Sequence, residues 1–223
     1  MATSGTTTFD PDVATLIEEA FDNAGYEGRS GYEYRTAARS LNFLMTEWSN
    51  LGLNLWAVDE ETIPLVAGDG QYDLATDTVD MIDQVIRNNS TGQDYRISRI
   101  GVGSWAGISN KTQAGERPNQ VYVERLLAPR VNVWPVPDNA NYSLVYWRLR
   151  RLQDAGTPDK TIDVPFRFVP AMAAGLSWKL SMKRRSPDYN RVQMLKTVYE
   201  EQLGLAMAED RGREPFFIYP SVR

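Results

Sequence analysis

Helical periodicity stands at the two ends of this chain, and strand-like segments fill residues 57–159 between them. This arrangement constrains the fold more than any single motif. An amphipathic helix pair cannot bury its apolar stripe alone, so the two ends must meet across the insertion. At the first end Asp10 is placed as an N-cap, with Pro11 at the first helical position and Asp12 in the first turn. Val13, Leu16, Ile17, Ala20 and Phe21 follow at helical spacing, and Gly25 ends the run. A second helix is predicted from Tyr34 to Leu51, with Ala37, Leu41, Leu44, Met45 and Trp48 on one face and Gly52 closing it.

At the other end Pro165 and Pro170 favour a helix start, and Ala171 to Lys183 is rich in small residues. Ala173, Leu176 and Leu180 form its predicted stripe, while Ala174 and Gly175 let another helix approach closely. Ser186-Pro187-Asp188 opens a last helix, on which Val192, Leu195, Tyr199, Leu203 and Ala206 share a face until Gly212 stops it. Residues 213–223 hold Pro215 and Pro220 around Phe216, Phe217, Ile218 and Tyr219, a pattern no helix accommodates.

Between the ends, strands are predicted at Ala57 to Leu65, Gln71 to Leu74, Met81 to Asn88, Val121 to Leu126, Val131 to Trp134 and Tyr142 to Leu149. Ala67-Gly68-Asp69-Gly70 is a tight turn, and a short helix is expected within Ser98 to Ile108. The expectation is therefore an α+β fold. Residues 1–56 and 160–212 make an antiparallel four-helix bundle, 57–159 an inserted small antiparallel β-module, and 213–223 an extended C-terminal tail.

Composition narrows the chemistry. The 223 residues contain no His and no Cys, yet six Trp and eleven Tyr. This removes the side chain best suited to proton transfer near neutral pH, the strongest nucleophile and the most versatile metal ligands together. A binding or building protein is expected, without catalytic residues, cofactor or metal. With 42% apolar residues the chain buries a sizeable core. No apolar run approaches the ~20 residues of a membrane span, and Met1 to Thr8 lacks the pattern of a secretory signal. The net charge of −5 is uneven: residues 1–56 and 57–128 each carry −5, whereas 165–223 carry +4. Solvated faces account for this, and so does an acidic surface that meets a basic one on another copy. General attraction to nucleic acid is disfavoured by the acidic whole.

Arg39-Ser40-Leu41-Asn42-Phe43-Leu44-Met45-Thr46-Glu47-Trp48-Ser49-Asn50-Leu51-Gly52, running into Leu55-Trp56, resembles the N-terminal region of head-to-tail adaptor (connector, or tail tubular) proteins of short-tailed bacteriophages. Val164-Pro165-Phe166-Arg167-Phe168-Val169-Pro170-Ala171, through Gly175-Leu176, and the closing Glu209-Asp210-Arg211 resemble the same family. The resemblance implies a helical protein that forms a ring, typically of twelve copies, beneath the portal. The ring extends the DNA channel and receives the tail nozzle. It implies portal protein, tail nozzle or tail tube protein and further copies of the chain as partners, with DNA passing unread and no membrane. The expected place is the virion's head–tail interface, after assembly in the host cytoplasm. The C-terminal segments of such adaptors dock on the portal, which here assigns portal binding to Phe216, Phe217, Ile218, Tyr219 and Pro220. No catalytic residue is carried over.

Two basic clusters are candidates for subunit or channel contacts. Lys183, Arg184 and Arg185 end the third predicted helix, where a favourable interaction with the negative helix end is the simpler account. Arg148 and Arg150 share a strand face by alternation, with Arg151 beside them. Asp59, Glu60, Glu61, Asp80 and Asp83 are the only enzyme-like material, and exposed strand-edge acids explain them more simply. The alternative of a different class is a non-catalytic module that recognises glycan or nucleic acid through Trp105, Trp134 and Trp147.

Overall fold

A computed structural model describes residues 5, 6, 8–26, 31–51 and 55–209. The chain divides into two compact units, Met1–Leu53 with Leu152–Arg223, and Asn54–Arg151.

The first unit holds α1 (Val13–Ala24), α2 (Gly31–Leu51), α4 (Val169–Met182) and α5 (Tyr189–Glu209), with a 3-10 turn at Phe166–Phe168. α1 starts later than Asp10 and Pro11 suggest. Asp12 is its N-cap, accepting from the Thr15 amide at 2.7 Å. Gly25 ends it in the left-handed conformation (φ 80°), which a residue with a Cβ adopts at a cost. The Asp188 carboxylate likewise accepts from the amides of Asn190 and Arg191 at the start of α5.

The expected antiparallel four-helix bundle is not what these helices make. In such a bundle each helix turns one stripe to a shared axis and sits at a corner. α4 instead has no single stripe. Its buried residues Ala171, Met172, Ala174, Gly175, Leu176, Ser177, Leu180 and Ser181 run all the way round it. It is therefore the central helix, and α1, α2 and α5 all pack against it. Gly175 sets the closeness of that packing. A Cβ there would stand 2.8 Å from Tyr199 Cε2 and 2.9 Å from Leu44 Cδ2, so α2 and α5 both approach α4 where it has no side chain. Trp48, fully buried beside Phe168 at 5.5 Å between ring centres, donates its indole N–H to the Tyr199 hydroxyl at 3.0 Å.

The second unit corrects the expectation of a small antiparallel module. Its described residues carry ten strands in three sheets, together with α3 (Val102–Gly107) and a 3-10 turn at Leu55–Ala57. One four-stranded sheet has the order β1 (Val58–Pro64), β10 (Tyr142–Arg150), β3 (Thr78–Asn88), β4 (Asp94–Arg96). The second has the order β2 (Gln71–Asp73), β8 (Arg130–Trp134), β7 (Gln120–Glu124), β5 (Ser98–Arg99). A two-stranded sheet joins β6 (Ala114–Gly115) to β9 (Val136–Pro137). The pairs β5–β7 and β6–β9 are parallel, and β5, β6 and β9 have only two residues each, too few for alternation to reveal.

Alternation in the long strands builds the core of this unit. Met81 and Ile86 of β3 and Tyr142, Leu144 and Tyr146 of β10 form one buried cluster with Tyr72 of β2, Val121 and Val123 of β7, and Val131 and Val133 of β8. Residues of the two larger sheets thus share one interior, as in a sandwich. β3 bulges twice against β10, at the steps from Trp147 to Arg148 and from Leu149 to Arg150. Ile82 and Val79, which the register skips, are left exposed there.

Candidate functional site

Just past the end of α4 stand its C-cap Lys183, then Arg184 and Arg185, all exposed. They line a cavity of about 390 Å³ together with Phe21 of α1, Tyr26 just beyond it, and Glu33 and Thr36 of α2. Tyr26 is the cavity's fixed aromatic wall. Its ring meets Phe21 edge-on at 5.1 Å, its hydroxyl donates to the Leu180 carbonyl at 3.4 Å, and the Arg184 guanidinium lies over it at 4.5 Å. Burial, ahead of the opposing charge of Arg184, raises the Tyr26 phenol above its ordinary value. The Lys183 ammonium reaches the buried Ser40 hydroxyl. Desolvation first, then the charges of Arg39 and Lys179, hold it below the ordinary lysine value. The Thr36 hydroxyl oxygen, also on this wall, is buried with no hydrogen-bond partner among the described residues. The arrangement suits an anion: three cations at the mouth, aromatic walls behind them. Sequence reasoning named the three cations and missed Phe21, Tyr26, Glu33 and Thr36. Only Phe21 had a visible periodicity, and that marked it as core.

The second basic cluster has a different setting. Arg148 is buried, and its guanidinium meets Asp77 at 2.7 Å, Glu61 at 3.2 Å and Asp59 at 3.7 Å. Arg150 shares Asp59 at 3.1 Å. Burial alone would lower the Arg148 guanidinium, but the Asp77 hydrogen bond and the three carboxylate charges outweigh it and hold the group firmly charged. The Arg151 amide donates to the Asp77 carbonyl at 2.7 Å. Arg148 and Arg150 thus knit β1, β10 and the turn before β3 together.

Of the remaining acids, two meet arginines and one a backbone amide. Asp80 pairs with Arg99 at 2.7 Å and with Arg125. Glu60 faces Arg87 at 3.9 Å, and Asp83 accepts from the Gln84 amide at 2.9 Å. Among the described residues no group of three or more acidic side chains is placed to hold a metal ion. The three indoles are spread over the unit. Trp105 stacks on Tyr122 at 5.5 Å, Trp134 donates to the Asn110 carbonyl at 3.0 Å, and Trp147 stands on β10 opposite Glu60 and Asp83. The strip Phe216, Phe217, Ile218, Tyr219 and Pro220 lies outside the described residues. Among the described residues no helix is long and apolar enough to cross a membrane.

No curated protein matches the chain. The family model for the SU10 adaptor protein matches residues 11–218, which takes in the helices at both ends and the whole β unit between them. It agrees with the resemblance carried by Arg39 to Gly52 and Val164 to Leu176. With a match of that extent, the chain belongs to the SU10 adaptor protein family, a family of phage adaptors.

Proposed function

We propose that this chain is a structural virion protein that forms a ring, dodecameric on the adaptor pattern, between portal and tail nozzle. The ring extends the DNA channel and has no enzymatic activity. The observation that carries this reading is the family match over residues 11–218. The net charge of −5 supports a lumen past which DNA moves without being held.

In this reading the last residues bind the portal. Phe216, Phe217, Ile218, Tyr219 and Pro220 form an apolar strip preceded by Pro215, which no helix accommodates. Each large side chain buried in a portal crevice contributes roughly 1.5–3 kcal/mol before the cost of ordering the segment. Repetition around a ring turns a modest single affinity into firm attachment. The β unit serves the nozzle or the neighbouring subunits. Of the basic residues considered for subunit contact, Lys183, Arg184 and Arg185 are the exposed set lining a cavity, whereas Arg148 and Arg150 are engaged by carboxylates of their own unit.

Light scattering of the purified chain mixed with portal rings of the same virus tests the reading. The expected result is a portal complex carrying many copies of the chain. Removing Arg213 to Arg223 is expected to abolish capture while leaving the thermal melt unchanged. A chain that stays free of the portal overturns the adaptor assignment, and a truncated chain that still binds overturns the role of the strip.

A further inference from the structure

The helical unit carries two charged surfaces whose groups meet no opposite charge among the described residues. One is the cavity mouth at the end of α4. Among the described residues no carboxylate comes within ion-pairing distance of Lys183, Arg184 or Arg185, although every other cluster of arginines described above has found one. The other surface is on α1. Glu18, Glu19 and Asp22 are exposed, and among the described residues no cation pairs with them. Arg191 stands beside them but gives its guanidinium N–H groups to the Asn23 carbonyl, at 2.8 and 3.3 Å. Glu19 and Asp22 edge a second groove, of about 480 Å³, whose floor is the small-residue face of α4 at Ala173, Ala174 and Ser177.

The cationic cavity and the groove edged by Glu19 and Asp22 meet α1 at different positions around its axis. Phe21 lines the cationic cavity, and around the helix axis, at 100° per residue, Asp22 stands about 100° and Glu19 about 160° away from it. One molecule thus presents its cations and its Glu19 and Asp22 carboxylates in different directions. It can offer its cations to one copy and its carboxylates to another, which is the heterologous contact that closes into rings. Glu33 in the same cavity opposes either anion, but the charge of a DNA duplex runs its whole length against an acidic chain, whereas a neighbour's carboxylates sit on one face of α1, so the phosphate is the weaker occupant.

We propose that the cavity lined by Lys183, Arg184 and Arg185 receives the Glu19 and Asp22 face of α1 from a second copy, forming the lateral contact between neighbours. The proposal rests on the ring reading above for the closure of that contact into a circle. The contact brings opposite charges together at a rim whose aromatic wall, Phe21 and Tyr26, excludes water from part of the pairing.

The absence of cysteine makes a direct test possible, because any introduced thiol is the only one in the chain. Full-length Asp22→Cys and Arg185→Cys chains are mixed and treated with a short bismaleimide, both free at high concentration and after capture by portal rings. The expected result is a mixed dimer well above either self-pair, and a ladder of multimers from the double variant. Adding Arg184→Glu to the Arg185→Cys chain is expected to cut the mixed dimer at least roughly tenfold, and Glu19→Lys in its Asp22→Cys partner to restore it. No mixed dimer in either sample overturns the proposal. So does cross-linking indifferent to both charge changes, or an Arg184-dependent affinity for a DNA duplex in place of the mixed dimer. Portal capture without mixed dimers overturns this contact and leaves the adaptor reading standing. Mixed dimers without portal capture do the reverse.

Discussion

Tyr199 joins three neighbours at one point. Its hydroxyl takes the buried Trp48 N–H at 3.0 Å, its ring stacks on Trp178 at 5.7 Å, and its edge occupies the space that Gly175 leaves open. Burial first, against the opposing Trp48 hydrogen bond, raises its phenol above the ordinary value. Tyr199→Phe keeps the ring and strands a buried indole donor. The expected loss is about 1–3 kcal/mol of stability in urea unfolding, with little change in the near-ultraviolet signal of the folded state. Trp48 and Tyr199 were each legible as core from helical spacing, and so was the close approach at Gly175. Their hydrogen bond was not, because periodicity tells which way a side chain points and says nothing of what it meets across 151 residues.

Among elements, the long strands and helices were legible because each carries enough alternation or periodicity to fix its type. Val131 to Trp134 and Tyr142 to Leu149 differ from β8 and β10 by a residue at one end. β5, β6 and β9 were not legible. Two residues cannot show a period, and their parallel partners are set by tertiary contacts. The centrality of α4 escaped for a related reason. Ala, Gly and Ser count weakly as apolar, so a helix buried all round looked like one with the stripe Ala173, Leu176 and Leu180. Of the candidate site, the cations were visible as a run, and the cavity they line was not.

One clamp between elements gives a pH dependence. Asp80 of β3 reaches Arg99 of β5 and Arg125 in the turn after β7, tying the two larger sheets together. Burial alone would raise its carboxyl, but the Arg99 hydrogen bond, the Met81 amide and the two arginine charges overcome that and hold it below the ordinary carboxylate value. A depressed folded value contributes stability that is present above the unfolded value, near pH 4, and is lost as pH falls through the folded one. Asp80→Asn is expected to cost about 1–2 kcal/mol at neutral pH, since Arg125 is largely exposed and screened. The gap between wild type and variant is expected to close in urea unfolding as the pH is taken below that range.

For the whole molecule, the decisive fact is how the β unit enters and leaves. Val58 opens β1 and Leu149 nearly closes β10, and these two residues are paired across one antiparallel ladder. Both connections to the helical unit therefore leave from neighbouring points, and the unit's core cluster lies wholly within Asn54–Arg151. Expressed alone, residues 54–151 are expected to fold and to melt in one cooperative transition by circular dichroism. A broad, non-cooperative melt would mean that the sandwich depends on the helices.

That pairing also decides how the β unit answers a pull. Tension carried along the chain arrives at Val58 and Leu149 together, at one end of the β1–β10 ladder. Hydrogen bonds between antiparallel strands run across the strands, so this load opens the ladder rung by rung from its end and never shears its seven pairs at once. The joint is a zip. Pulled at these two residues, the β1–β10 ladder is expected to open before the rest of the sandwich, a prediction that single-molecule unfolding checks.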